Sequence, residues 1–60
     1  MTGVVISFNK HNRFGFIQND SGDFYFRGID AYKGVSVGDK VNFDLIDDHV
    51  KGVKRIETDG

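Results

Sequence analysis

Apolar and polar residues alternate with a period of two over much of this chain, the spacing at which successive side chains point to opposite faces of a β-strand. Residues 39–46 show it most cleanly, with Val41, Phe43 and Leu45 on one side and Lys40, Asn42 and Asp44 on the other. That is the pattern of a half-buried antiparallel strand. Residues 14–19 place Phe14 and Phe16 together and leave Gly15 and Ile17 opposite them. A second aromatic run, residues 23–27, follows across the turn signal Asn19-Asp20-Ser21-Gly22, so the two runs are expected to pair as a hairpin. With Tyr25 and Arg27 on the face of Phe14 and Phe16, Phe24 and Phe26 enter the core.

Residues 1–10 are rich in β-formers, Val4, Val5, Ile6 and Phe8, but their apolar positions do not alternate. Burial on both sides at Val5 and Ile6 would account for this, and so would a bulge. The polar run Lys10-His11-Asn12-Arg13 turns the chain back into the second strand, which makes the first three strands a meander. Residues 28–38 read as a loop, punctuated by Gly28, Gly34 and Gly38 and carrying Tyr32 and Lys33 near its middle. Asp47-Asp48-His49 is a turn, residues 50–57 form a fifth strand anchored by Val53 and Ile56, and the tail is expected to fray. Five short strands in 60 residues must close on themselves, because an open sheet would leave long unpaired edges and a bare apolar face. The expectation is an all-β chain, one domain over residues 1–60, built as a small five-stranded antiparallel barrel.

Composition narrows the chemistry. The chain has no cysteine, which removes disulfides and thiolate zinc sites. No long apolar run or leader-like segment is present, so a cytoplasmic chain without a membrane partner is expected. Eight Lys and Arg against nine Asp and Glu give a net charge of −1, which argues against a generic binder of duplex DNA. The distribution is uneven: the first acid is Asp20, so Lys10, Arg13, Phe14 and Phe16 lie in a stretch without negative charge. From Gly34 onward acids outnumber bases, and an anionic ligand should prefer the N-terminal half. No phosphate-cradling Gly-rich loop, activated nucleophile or acid/base pair is found, so neither an enzyme nor a cofactor is expected. Asp47-Asp48-His49 cannot bring three consecutive side chains onto one ion, which leaves it a turn and not a metal site.

A sheet face carrying Phe14, Phe16 and Tyr25, with Arg13 and Arg27 at its margins, suits stacking of unpaired bases and retention of their phosphates. The competing interpretation is that these rings fill a core.

The same residues resemble the cold-shock proteins and cold-shock domains over nearly the whole chain. Gly3-Val4-Val5-Ile6-Ser7-Phe8-Asn9 is similar to the family's opening strand Gly-x-Val-Lys-Trp-Phe-Asn. Asn12 to Ile17 resembles its first ribonucleoprotein motif, Lys-Gly-Phe-Gly-Phe-Ile, and Phe24 to Arg27 its second, Val-Phe-Val-His. Val37 to Phe43 resembles Glu-Gly-Gln-x-Val-x-Phe, and Tyr32-Lys33 falls where the family places a loop aromatic and a base. The resemblance implies an OB-fold barrel that binds single-stranded RNA or DNA, and a monomer is expected. It further implies base stacking by Phe14, Phe16 and Tyr25, extended by Phe8 and Tyr32 at the two ends. Lys10, Arg13 and Lys33 would meet phosphates, and Arg27 stands at the family's histidine. Ile6-Ser7 replaces the family's Lys-Trp, Gly28 replaces an aromatic, Arg13 replaces a glycine, and no Gly-Pro precedes the last strand. Those departures predict weaker binding. They also keep a second expectation open, a small barrel that uses its aromatic patch or an edge strand to hold a protein partner.

Overall fold

The computed structural model describes residues 1–31 and 34–56. It consists of five strands: β1 (Thr2–Asn9), β2 (Phe14–Asn19), β3 (Gly22–Arg27), β4 (Lys40–Ile46) and β5 (His49–Arg55). A 3-10 turn, Gly28–Asp30, follows β3. All strand pairings are antiparallel, in the order β3-β2-β1-β4-β5. The sheet curls until β3 and β5 lie against each other, and a bridge from Ala31 to Val53 ties the chain after the turn to β5. This is the small antiparallel β architecture expected from the alternation, and it is consistent with the OB-fold that the resemblance implies.

β1 is the shared strand. It pairs with β2 from Val4 to Asn9 and with β4 from Thr2 to Val4, and main-chain bonds from Val5 to Asp39 and from Gly38 to Val5 prolong the second ladder. Its irregular pattern resolves as a bulge: Val5 faces Ile17 and Ser7 faces Phe16, leaving Ile6 as the extra residue. Val5 is fully buried, whereas Ile6 is 42% exposed. Burial on both faces is thereby ruled out.

Alternation sorts the other strands. Val5, Ile17, Phe26, Val41, Phe43 and Val53 form the fully buried centre, joined by Val35 and Val50, with Phe8, Phe24 and Ala31 packed on its rim. Leu45 lies in phase with Val41 and Phe43 but stays partly exposed, because the β4–β5 hairpin runs out past the core. β5 carries a second irregularity, with two residues opposite Phe43 and Gly52 at φ +63. This shift brings Val50 inward with Val53, while Ile56 falls just beyond the strand and is half-buried. The β4–β5 turn consists of Asp47 and Asp48 alone, both at positive φ, and His49 already pairs with Ile46. That is the handedness of a type I′ hairpin turn.

Candidate nucleic-acid interface

β2 and β3 set the register of the site. Phe14 pairs with Arg27, Phe16 with Tyr25 and Ile17 with Phe24, so Phe14, Phe16, Tyr25 and Arg27 share the outward face and Phe24 and Phe26 the inward one. The inward residue between the two outward phenylalanines has to be glycine. A Cβ on Gly15 would stand 2.4 Å from the Ser7 carbonyl oxygen and 3.0 Å from the ring of Phe26. The Phe-Gly-Phe spacing therefore exposes two rings and lets a third pack directly beneath them.

The outward rings form one cluster. Ring centroids of Phe14 and Tyr25 are 5.8 Å apart at 30°, Phe16 meets Tyr25 edge-on at 5.7 Å, and Phe14 meets Phe16 edge-on at 6.4 Å. These are favourable aromatic geometries, so the rings hold one another in place. Tyr25 is 52% exposed and Phe16 36%, while Phe14 is half-buried. A preorganised apolar surface of flat groups is thus open to solvent.

Cations gather at one end. Lys10 and Arg13 are exposed in the β1–β2 connection, where the Asn9 side chain accepts from the His11 and Asn12 amides and shapes the turn. Arg13 ends it at φ +58 with its amide bonded to Asn9 O at 2.7 Å. Its side chain folds over Gly28, whose amide donates to Arg13 O at 2.6 Å; a Cβ on Gly28 would lie 3.0 Å from Arg13 Cβ and 3.3 Å from Nε. Glycine at 28 and arginine at 13 are thus one packing unit. Arg27 lies beside the rings with its Nε 3.6 Å from Asp30. At the other end Gln18 donates to Asp23, an acid on the face of Tyr25.

Not every expected residue joins the cluster. Phe8 pairs with Gly15 and turns inward, half-buried, stacked on Phe26 at 5.8 Å and 13°. Its remaining exposed edge lines a cleft of about 250 Å³ with Lys10, Arg13, Gly28, Ala31 and Gly34. Tyr32 and Lys33 lie outside the described residues. Three further residues belong to the surface: Val4 and Ile6, both partly exposed, and Lys40, which pairs with Val4 and shares its outward face. Alternation along residues 39–46 already placed Lys40 outward; Ile6 had no such signal, because the bulge breaks the period.

No family model matches the chain, and no solved structure matches it. Two curated relatives do, both Cold shock-like protein CspC of Bacillus cereus, each 40% identical over 52 residues that cover 78% of this chain and 80% of the relative. An identity this high over four-fifths of the relative's length marks common descent, and the chain belongs to the cold-shock protein family.

Proposed function

We propose that this protein binds single-stranded RNA or DNA by stacking unpaired bases on Phe14, Phe16 and Tyr25. Lys10, Arg13 and Arg27 hold the phosphates at the loop end. The observation that carries this reading is the exposed three-ring cluster at 5.7–6.4 Å spacing, with Lys10, Arg13 and Arg27 at its loop end. A base stacked on an aromatic ring contributes about 1–3 kcal/mol by truncation, independent of which base it is. Affinity then comes mainly from π surface, which is compatible with a net charge of −1. Tyr32 and Lys33 belong to the set by resemblance, and Phe8 contributes through the edge it shows in the cleft below Arg13.

On this reading the 60 residues act as one domain and as a cytoplasmic monomer. The work done is mass action: binding only the unpaired strand draws a nucleic-acid hairpin toward its open form, an RNA-chaperone activity without hydrolysis. An NMR titration with a short oligothymidine in low salt tests it. Shifts centred on Phe14, Phe16 and Tyr25 are expected, and shifts confined to other parts of the barrel would refute the site.

The exposure of Val4 and Ile6 beside Phe16 favours one rival, an apolar protein-docking face. Salt separates the two. Nucleic-acid binding weakens as salt rises through counterion release, whereas an apolar protein contact is nearly indifferent.

A further inference from the structure

Arg27 closes β3 beside Phe14, yet its guanidinium is not free to follow a ligand. Its Nε lies 3.6 Å from Oδ2 of Asp30, three residues on in the 3-10 turn. The other oxygen, Oδ1, lies 3.5 Å from Nζ of Lys51 on β5. One carboxylate, its side chain only 13% exposed, therefore serves two cations that are each about half exposed. All three line a cleft of about 280 Å³ along the line where β3 and β5 come together.

We infer that Asp30 limits affinity, acting as a resident anion that competes with a strand phosphate for Arg27 and Lys51. The inference rests on the base-stacking reading proposed above. Carboxylate and phosphate are recognised by the same donors, and a guanidinium offers its fork fully to one only by loosening from the other. Asp30 cannot withdraw, because the 3-10 turn holds it beneath Arg27. Ion pairs between half-exposed groups are weak, so a phosphate can win this contest, but it wins less affinity than a free cation would give. The same carboxylate links the end of β3 to β5, the two edge strands of the sheet. Stability and affinity are therefore set against each other at one residue.

This opposition supplies the test. Labelled oligothymidine of six nucleotides is titrated by fluorescence anisotropy against wild type, Asp30→Asn, Arg27→Gln and the double variant, at low and moderate salt, with thermal melts of each. Asp30→Asn should melt lower yet bind about three- to fivefold tighter at low salt, the equivalent of one weak ion pair released. Its log–log salt dependence should steepen by about one counterion. Most of that gain should vanish in the Arg27→Gln background. Asp47→Asn on the β4–β5 turn makes the same change in net charge and should bind like wild type. A merely structural Asp30 would lower melting and binding together, and that result overturns the inference, as does an undiminished gain without Arg27 or an equal gain from Asp47→Asn. Should Asp30→Asn fail to fold, the Arg27 Nε–H resonance decides within wild type: it must move along with the ring resonances as the strand is added, and a static signal overturns the inference. Absence of any wild-type binding would instead strike down the base-stacking reading itself.

Discussion

Tyr25→Ala demands a large loss of binding at a modest loss of stability, a combination that only a surface ring can give. Tyr25 is 52% exposed, so about half of the roughly 1.5–3 kcal/mol for burying an aromatic side chain is at stake in folding. Its stacked contact with Phe14 and edge contact with Phe16 add about 0.5–1.5 kcal/mol. The expected destabilisation is about 1–3 kcal/mol, which for a chain of this size lowers the melting temperature by roughly 5–24 °C. Loss of one base stack, about 1–3 kcal/mol, weakens Kd by roughly fivefold to 150-fold. Because the two losses could be confused near the melting point, Tyr25→Leu is the sharper variant. It keeps apolar contact with Phe14 and Phe16 but offers no flat face, so it should melt near wild type and bind nearly as poorly as the alanine variant. Calorimetric titration with a six-nucleotide oligothymidine at low ionic strength, beside circular-dichroism melts, reads both quantities. A folded Tyr25→Leu that binds like wild type would refute the stacking role of this ring.

Phe26→Ala should do the reverse: the ring is 1% exposed and stacked under Phe8, so truncation costs about 3–5 kcal/mol, comparable to the whole stability of so small a chain, and dispersed amide signals should collapse. A well-dispersed spectrum for that variant would contradict the core assignment. Asp48→Gly should stabilise the chain by about 0.5–1 kcal/mol and raise the denaturation midpoint accordingly, since Asp48 sits at φ +64 in the second position of the type I′ turn, where glycine carries no Cβ penalty. An unchanged or lowered midpoint would show that the turn is not strained. Arg13→Gly should likewise relieve φ +58 and stabilise by up to about 1 kcal/mol while weakening oligothymidine binding and flattening its salt dependence by about one counterion. Binding that is unaltered in affinity and salt slope would remove Arg13 from the phosphate contacts.

The division of the six phenylalanines was largely legible in advance, for a simple reason. Phe14 and Phe16 flank a single glycine, and Phe24 and Phe26 flank a tyrosine, so one antiparallel register assigns all of them at once. Phe8 was harder, because it follows the bulge. Counting from Val5 without the extra residue puts Phe8 outward, and only the shift at Ile6 turns it in toward Phe26. The same shift leaves both Ile6 and Ser7 exposed, so the substitution of the family's Lys-Trp pair falls on the ring-bearing side of the sheet. In β5 the extra residue opposite Phe43 had the corresponding effect, recruiting Val50 where Ile56 had been the expected anchor.

Sequence by itself determined the strand count, the inward and outward sets of β2, β3 and most of β4, and the asymmetry of charge, because a period of two and the order of acids and bases are local properties of the chain. Tertiary structure alone decided where β1 and β5 break register, that Arg13 lies over Gly28, and that Arg27 is shared with Asp30 and, through it, with Lys51. Arg13 and Gly28 are 15 positions apart and Asp30 and Lys51 are 21, while the register breaks each arise from one inserted residue, and no periodicity encodes either. They exist because curling the sheet brings β5 against the end of β3, a packing requirement of the whole core rather than of any one strand.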